Sequence, residues 1–129
     1  MTSRVHIISG ANSLLGLEVC NALLDAGLPC ILITRDSKDL KGLIKKGKKL
    51  VTVWHADLSN EDDILNICDK ISGHVPNIWS FIHIAASSVE DNFEIDQMCK
   101  NFTVNVFSAW KISNSCIEKM KDSGGGRII

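Results

Sequence analysis

The chain has 129 residues, 45% of them hydrophobic and 22% charged, a composition that excludes a disordered tract and fits one globular domain with a single core. Its net charge of −1 argues against a nucleic-acid-binding domain, and no apolar run approaches the roughly 20 residues that a bilayer-spanning helix needs. Five cysteines (Cys20, Cys30, Cys68, Cys99, Cys116), odd in number and without CxxC spacing, read as reduced thiols of a cytoplasmic protein.

Met1-Thr2-Ser3-Arg4 leads directly into the first apolar run, so no signal peptide is expected. The β-branched run Val5, Ile7, Ile8 predicts a buried strand of a parallel sheet. It breaks at Ser9-Gly10. Helical spacing resumes at Leu15-Gly16, with Leu15, Val19, Leu23 and Leu24 as the apolar stripe and an end near Ala26-Gly27. Residues 30–34 form a second strand. Asp36 or Ser37 caps a helix carrying Leu40, Leu43 and Ile44 and ending at Gly47; the five lysines of residues 41–49 read as a solvated face.

Residues 50–54 are a third strand, and Ser59 or Asn60 caps a helix bearing Ile64, Leu65, Ile67, Cys68 and Ile71. A fourth strand spans 78–84. A long helix then covers 93–121, with one stripe of Ile95, Met98, Cys99, Phe102, Val106, Ala109, Ser113, Cys116 and Met120 and a second apolar face of Val104, Phe107 and Trp110. Gly124-Gly125-Gly126 ends it, and Arg127-Ile128-Ile129 opens a fifth strand. Strands alternating with helices in this way predict right-handed βαβ units and a doubly wound parallel sheet.

In such a sheet a ligand sits beyond the carboxyl ends of the strands. Four stretches fall there. The turn over 9–16 joins a strand to a helix start, where free N–H groups and about half a unit of positive charge suit a phosphate. Gly10 would make the tight turn and Gly16 the close helix–strand approach, although two glycines at such a junction also serve plain packing. Leu17-Glu18 after Gly16 excludes the Gly-Lys-Ser/Thr of a nucleoside-triphosphate loop. At Thr34-Arg35-Asp36 a guanidinium would hold a ribose 2′-phosphate, whereas a carboxylate would take the 2′-hydroxyl. Arg35, followed by Ser37 and Lys38, favours NADP over NAD; the alternative is Asp36 as a helix cap beside a solvated Arg35.

Asp57, in His55-Ala56-Asp57-Leu58, either accepts from an adenine amino group or caps the next helix. In His83-Ile84-Ala85-Ala86 the two alanines either let a cofactor pass the backbone or simply pack closely. His6 and His83 read as core or strand-end residues and His55 and His74 as loop residues. The four share no metal-ligand spacing, so no metal site is expected.

In this order and spacing, the segments resemble the N-terminal half of the short-chain dehydrogenase/reductase family. Residues 9–18, SGANSLLGLE, are similar to that family's Thr-Gly-x-x-x-Gly-x-Gly turn. Asp57-Leu58 matches its adenine-contacting Asp, and residues 83–86 stand where it has Asn-Asn-Ala-Gly. Asn105-Val106 matches the helix Asn of its catalytic tetrad, and residues 127–129 resemble the start of the strand leading to its catalytic Ser. The resemblance covers the whole chain. It implies a Rossmann-like sheet of order 3-2-1-4-5, cut after the start of strand five, as a single dinucleotide-binding domain over 1–129 that is incomplete relative to the family. It implies NADP or NAD held by Gly10, Asn12, Ser13, Leu15, Gly16, Arg35, Asp57, Leu58, Ala85 and Ala86, with Asn105 holding a water of the proton relay.

The departures are specific. Leu14 replaces the middle glycine, so its isobutyl group must point away or displace the ligand. His83 and Ile84 replace the two asparagines whose amides tie strands together. The family's Ser and Tyr-x-x-x-Lys would lie beyond residue 129, and the chain contains no tyrosine. The expectation is therefore the cofactor-binding portion of an NADP(H)-dependent oxidoreductase of carbonyl or alcohol substrates, inactive as this chain alone. The alternative is a non-catalytic dinucleotide-binding or self-associating remnant. Because the 93–121 helix has two apolar faces and only one can pack on its own sheet, a homodimer or larger assembly through that helix is expected, as the family's two-fold helix-bundle interface also implies; the alternative is a monomer with Trp110 folded back onto the sheet edge. No nucleic-acid or membrane partner is expected.

Overall fold

The computed structural model describes residues 3–87 and 94–129. Five parallel strands, β1 (Val5–Ser9), β2 (Cys30–Thr34), β3 (Val51–His55), β4 (Ile78–His83) and β5 (Arg127–Ile128), lie in the order β3-β2-β1-β4-β5. The expected doubly wound sheet is thus present, and strand order reverses between β1 and β4. Side chains alternate across it. Ile7, Ile31, Ile33 and Phe81 face one layer, and Ile8, Cys30 and Leu32 face the other, which is why the inner strands read as continuous apolar runs.

One layer is α3 (Glu61–His74) and α5 (Ser108–Asp122), packing Ile64, Ile67, Ile71, Ile112 and Cys116 onto the sheet. The other is α1 (Leu14–Asp25) and α2 (Lys41–Gly47), with Cys20, Leu24 and Leu43 beside Leu40. Each large side chain fully buried there contributes about 1.5–3 kcal/mol relative to exposure. All five lysines of the 41–49 stretch are exposed, and Lys46 pairs with Asp25 at 2.5 Å. None of the described helices is long and apolar enough to cross a membrane. Burial raises the thiols of Cys20 to about 11, and of Cys30 and Cys116 to about 12, so these three stay protonated. Cys99 is exposed.

Several apolar faces differ from the periodicity. In α1 the buried line is Gly16, Cys20 and Leu24, because Gly16 packs directly on the preceding turn and sets the phase; Leu15, one residue off that line, is 63% exposed. Ile44 and Leu65 also lie toward solvent. The long C-terminal helix is not continuous in phase. It consists of α4 (Ile95–Phe102), a π-helical turn over Thr103–Phe107, and α5. Phe93, its expected start, lies outside the described residues, as does Ser88.

The π-turn inserts a residue into the helical repeat and rotates the two halves relative to each other. Its buried line is Val104, Ser108, Ile112, Cys116 and Met120, whereas α4 buries none of its residues. Val104 therefore belongs to the core, at 8% exposed, and not to the outer face. Ile95, Met98, Phe102 and Val106 do the reverse: the expected inner stripe is exposed at all four. Phe107 and Trp110 face outward as expected, at 54% and 62% exposed.

Candidate functional site

At the carboxyl ends of β1, β2, β3 and β4 the chain encloses a cavity of about 550 Å³, a volume in the range of small-molecule sites. It lies at the reversal of strand order. Each of the four stretches picked out in the sequence contributes to its wall: Gly10, Asn12 and Ser13 after β1, Arg35 after β2, Asp57 and Leu58 after β3, and Ala85 and Ala86 after β4. Leu15, Gly16 and Asn105 do not line it.

The first turn is built by local chemistry. Ser13 caps α1, its hydroxyl oxygen accepting from the Gly16 N–H at 3.0 Å and its hydroxyl donating to the Gly10 carbonyl at 2.8 Å. Gly10 has φ +69°, and a Cβ there would stand 2.5 Å from the Ala85 nitrogen. A Cβ on Gly16 would run into the Gly10 carbonyl oxygen. Both glycines are therefore required sterically, Gly10 to bring the turn against the 84–85 backbone and Gly16 to bring α1 against the turn. Leu14 is 86% exposed and is absent from the cavity wall. Its isobutyl group points away, so the turn still presents bare backbone where a dinucleotide phosphate would lie. On that geometry the residues fit a nicotinamide dinucleotide.

Strand ends are tied by serine–histidine pairs. His6 Nδ1 lies 2.8 Å from Ser80 Oγ, and Ser9 Oγ lies 2.9 Å from His83 Nδ1. The Ala85 N–H also donates to Ser9 Oγ at 3.4 Å, so the serine oxygen joins the imidazole and the backbone after β4. His83 thus links β1 to β4 in place of the family's asparagine amide. Burial holds both imidazoles below their ordinary titration range; for His83 the Val104 carbonyl opposes this.

Two carboxylates near the cavity are engaged locally. Asp57 Oδ1 accepts from the Ser59 hydroxyl at 2.7 Å and from the Ser59 N–H at 2.9 Å. These bonds hold its carboxyl below the usual range; burial opposes them, and the Arg35 and Lys100 charges add to the lowering. The cap of α3 is Asn60, which accepts from the Asp63 N–H at 3.1 Å, so Asp57 is not needed there. Asp36 Oδ1 accepts from the Lys38 N–H at 2.8 Å, and its other oxygen stands 3.6 Å from the Lys38 ammonium. Asp36 thus closes a local turn and caps no helix, contrary to expectation: the cap positions are Ser37 for a 3-10 turn over Lys38–Leu40 and Leu40 for α2, both without a side-chain cap bond, whereas Arg35 lines the cavity.

Gln97, Lys100 and Val104 close the cavity from α4 and the π-turn, together with Ser59 and Ser87. The sequence reading missed all five, and no spacing marks Gln97 or Lys100, because what brings them here is how the helix packs. Asn101 accepts from Ser87 Oγ at 2.6 Å and Gln97 Nε2 at 2.9 Å, and Asn105 Oδ1 accepts from the Ser87 N–H at 3.1 Å. Asn105 thereby fixes the backbone leaving β4.

Comparison with solved structures places this architecture. An alcohol dehydrogenase from Comamonas testosteroni, described as specific for bulky-bulky ketones, matches with a TM-score of 0.88 at 16% identity, over 99% of this chain and 54% of that one. A short-chain dehydrogenase from Streptomyces avermitilis matches at 0.86 and 16%, over 98% and 48%. A short-chain dehydrogenase from Sphingobium yanoikuyae in complex with NADPH matches at 0.83 and 20%, over 97% and 52%. At these identities the likeness is one of fold, and the chain spans about half the length of these proteins. No curated protein sequence matches it. The profile of the short chain dehydrogenase family matches residues 4–129, and with the glycine turn, the sheet order and the switch-point cavity in agreement, the chain belongs to that family.

Proposed function

We propose that the chain is the cofactor-holding portion of an NADP(H)-dependent oxidoreductase acting on a carbonyl compound or an alcohol. The observation that carries this is the switch-point cavity, floored by the Gly10 turn and flanked by Arg35, which has no ion pair among the described residues. The pyrophosphate would lie on the turn carrying Gly10, Asn12 and Ser13, at the start of α1, with Leu15 and Gly16 shaping the helix start. Adenine would meet Asp57 and Leu58, and Ala85 and Ala86 would leave room along the backbone. Arg35 would hold a ribose 2′-phosphate bidentately. When bound, the nicotinamide supplies or accepts the hydride. Asn105 keeps the Ser87 N–H on Oδ1 and offers Nδ2 to a relay water. Residues 1–129 would act as one domain in the cytoplasm.

Titrating the purified chain with NADPH and NADH by calorimetry tests this. NADPH is expected to bind more tightly; tighter NADH, or binding of neither, overturns the NADP assignment or the whole reading respectively.

A second reading, a non-catalytic dinucleotide-binding or self-associating protein, draws on the exposed Phe107 and Trp110. Neither reading expects turnover from this chain alone; the first needs the family's Ser and Tyr-x-x-x-Lys supplied from outside residues 1–129, and the second does not.

A further inference from the structure

We infer that Asn101 is a positioning residue: its side-chain amide latches α4 to the chain leaving β4, and so holds one wall of the cavity in place for a dinucleotide. The choice of ligand rests on the dinucleotide reading above; the latch itself stands on hydrogen bonds and burial.

α4 buries none of its eight residues, so apolar burial does not seat it. Gln97 and Asn101 are half-buried and the other six are exposed, which makes the inward side of this helix a pair of amides one turn apart. Ser87 meets them from the other wall. Its hydroxyl donates to Asn101 Oδ1 at 2.6 Å, and Gln97 Nε2 donates to the same oxygen at 2.9 Å. Ser87 and Gln97 both line the cavity, one from the chain after β4 and one from α4, so a single carbonyl oxygen joins the two walls. The Ser87 N–H goes separately to Asn105 Oδ1, in the π-turn, at 3.1 Å. Ser87 is thereby held at two points, and the bond to Asn101 is the one that reaches α4. A helix with no buried side chain opens locally at small cost, and each opening takes Gln97 and Lys100 out of the wall. A ligand that needs the complete wall then binds more weakly in proportion to the time the helix is unseated.

The test is a double-mutant cycle on the full chain: Asn101→Ala, Ser87→Ala and the two together, titrated with NADPH and with NADH by calorimetry. Loss of one neutral hydrogen bond corresponds to about fivefold in affinity. Each single variant is expected to weaken both dinucleotides alike, by up to about fivefold, and the pair to lose no more than either alone. Ser87→Thr, which keeps the hydroxyl, should bind as the unsubstituted chain does. Amide exchange over 97–102 should quicken equally in both single variants while the urea midpoint stays unchanged. Losses that multiply in the pair would give the two residues separate roles and overturn the inference, as would unchanged affinity, or a lowered urea midpoint with no quickening of exchange; all three leave the proposed function standing. If the unsubstituted chain binds neither dinucleotide, the proposed function falls and amide exchange alone decides the latch: an equal rise in both single variants supports it, and no rise overturns it.

Discussion

Ser9 and His83 are cross-strand partners in register, and their side chains meet at 2.9 Å immediately before the two backbones, at Gly10 and Ile84, that line the cavity. The site is therefore braced by a titratable pair at its base. With His6 and Ser80 paired at 2.8 Å three residues earlier, β1 and β4 are joined twice by serine and histidine.

That bracing makes stability depend on pH. Burial lowers the titration of His6 and His83 in the folded chain, so both stay neutral where the unfolded chain, with histidine near 6.5, takes up protons. Below about 6.5 the unfolded state binds more protons, and stability must fall as pH falls. Urea midpoints should drop between pH 7.5 and 5, and the drop should be shallower for His83→Asn. Asp36 and Asp57 act lower down: hydrogen bonds lower their carboxyls, so their contribution is lost as pH falls below about 4. A midpoint unchanged from pH 7.5 to 5 would refute the histidine assignment.

Gly10→Ala should be costly to fold and to site alike. Its φ of +69° strains an alanine, and the new methyl would meet the Ala85 nitrogen at 2.5 Å. A loss of at least about 1–3 kcal/mol is expected, with loss of NADPH binding. Denaturation and titration of one sample check both. Gly27→Ala, with a φ of +73° but open space around it, should cost less and spare binding.

Arg35→Asp should reverse the cofactor preference. Because Asp36 is engaged with Lys38, the substituted carboxylate would stand alone beside the ribose, repelling a 2′-phosphate and accepting from a 2′-hydroxyl. NADPH should weaken by about a hundredfold, equivalent to roughly 3 kcal/mol, while NADH gains. Titrations that leave the order unchanged would remove Arg35 from the site.

The 129-residue chain by itself should show no dehydrogenase turnover, since it contains no tyrosine to serve as the family's phenolic acid. Spectrophotometric assay with NADPH and a panel of ketones should match the buffer blank. Turnover lost on Asn105→Ala would contradict this.

Association through the outer face of α4, the π-turn and α5 is the last expectation. Phe102, Phe107 and Trp110 are all exposed, and the Phe102 and Phe107 rings lie tilted at 35° with centroids 6.2 Å apart. With Phe107 and Trp110 already partly covered, at 54% and 62% exposed, covering the remainder is worth roughly 2–3 kcal/mol for the pair. Sedimentation at micromolar concentration should find a dimer that Trp110→Glu dissociates. A monomer unaffected by that change would exclude the interface.

What the amino-acid sequence determined by itself is the part governed by local rules. The apolar strand runs, the Asn60 cap, the Gly10 and Gly16 turn and the α/β alternation are set by neighbours a few residues apart. The handedness of βαβ units then brings the four strand ends to one side of the sheet, so Gly10, Arg35, Asp57 and Ala85 could be assigned to one site before any coordinates. Only the tertiary structure decided the rest. The π-turn at Thr103–Phe107 changed which face of the last helix is buried, moving Val104 inward and Val106 outward, and a uniform 3.6-residue period cannot anticipate an inserted residue. Leu14 could have blocked the turn or cleared it, and the outcome depends on how α1 seats against Gly10. Lys100 reaches the cavity because α4 packs over strand ends far from it in sequence, a contact between segments that no local pattern encodes.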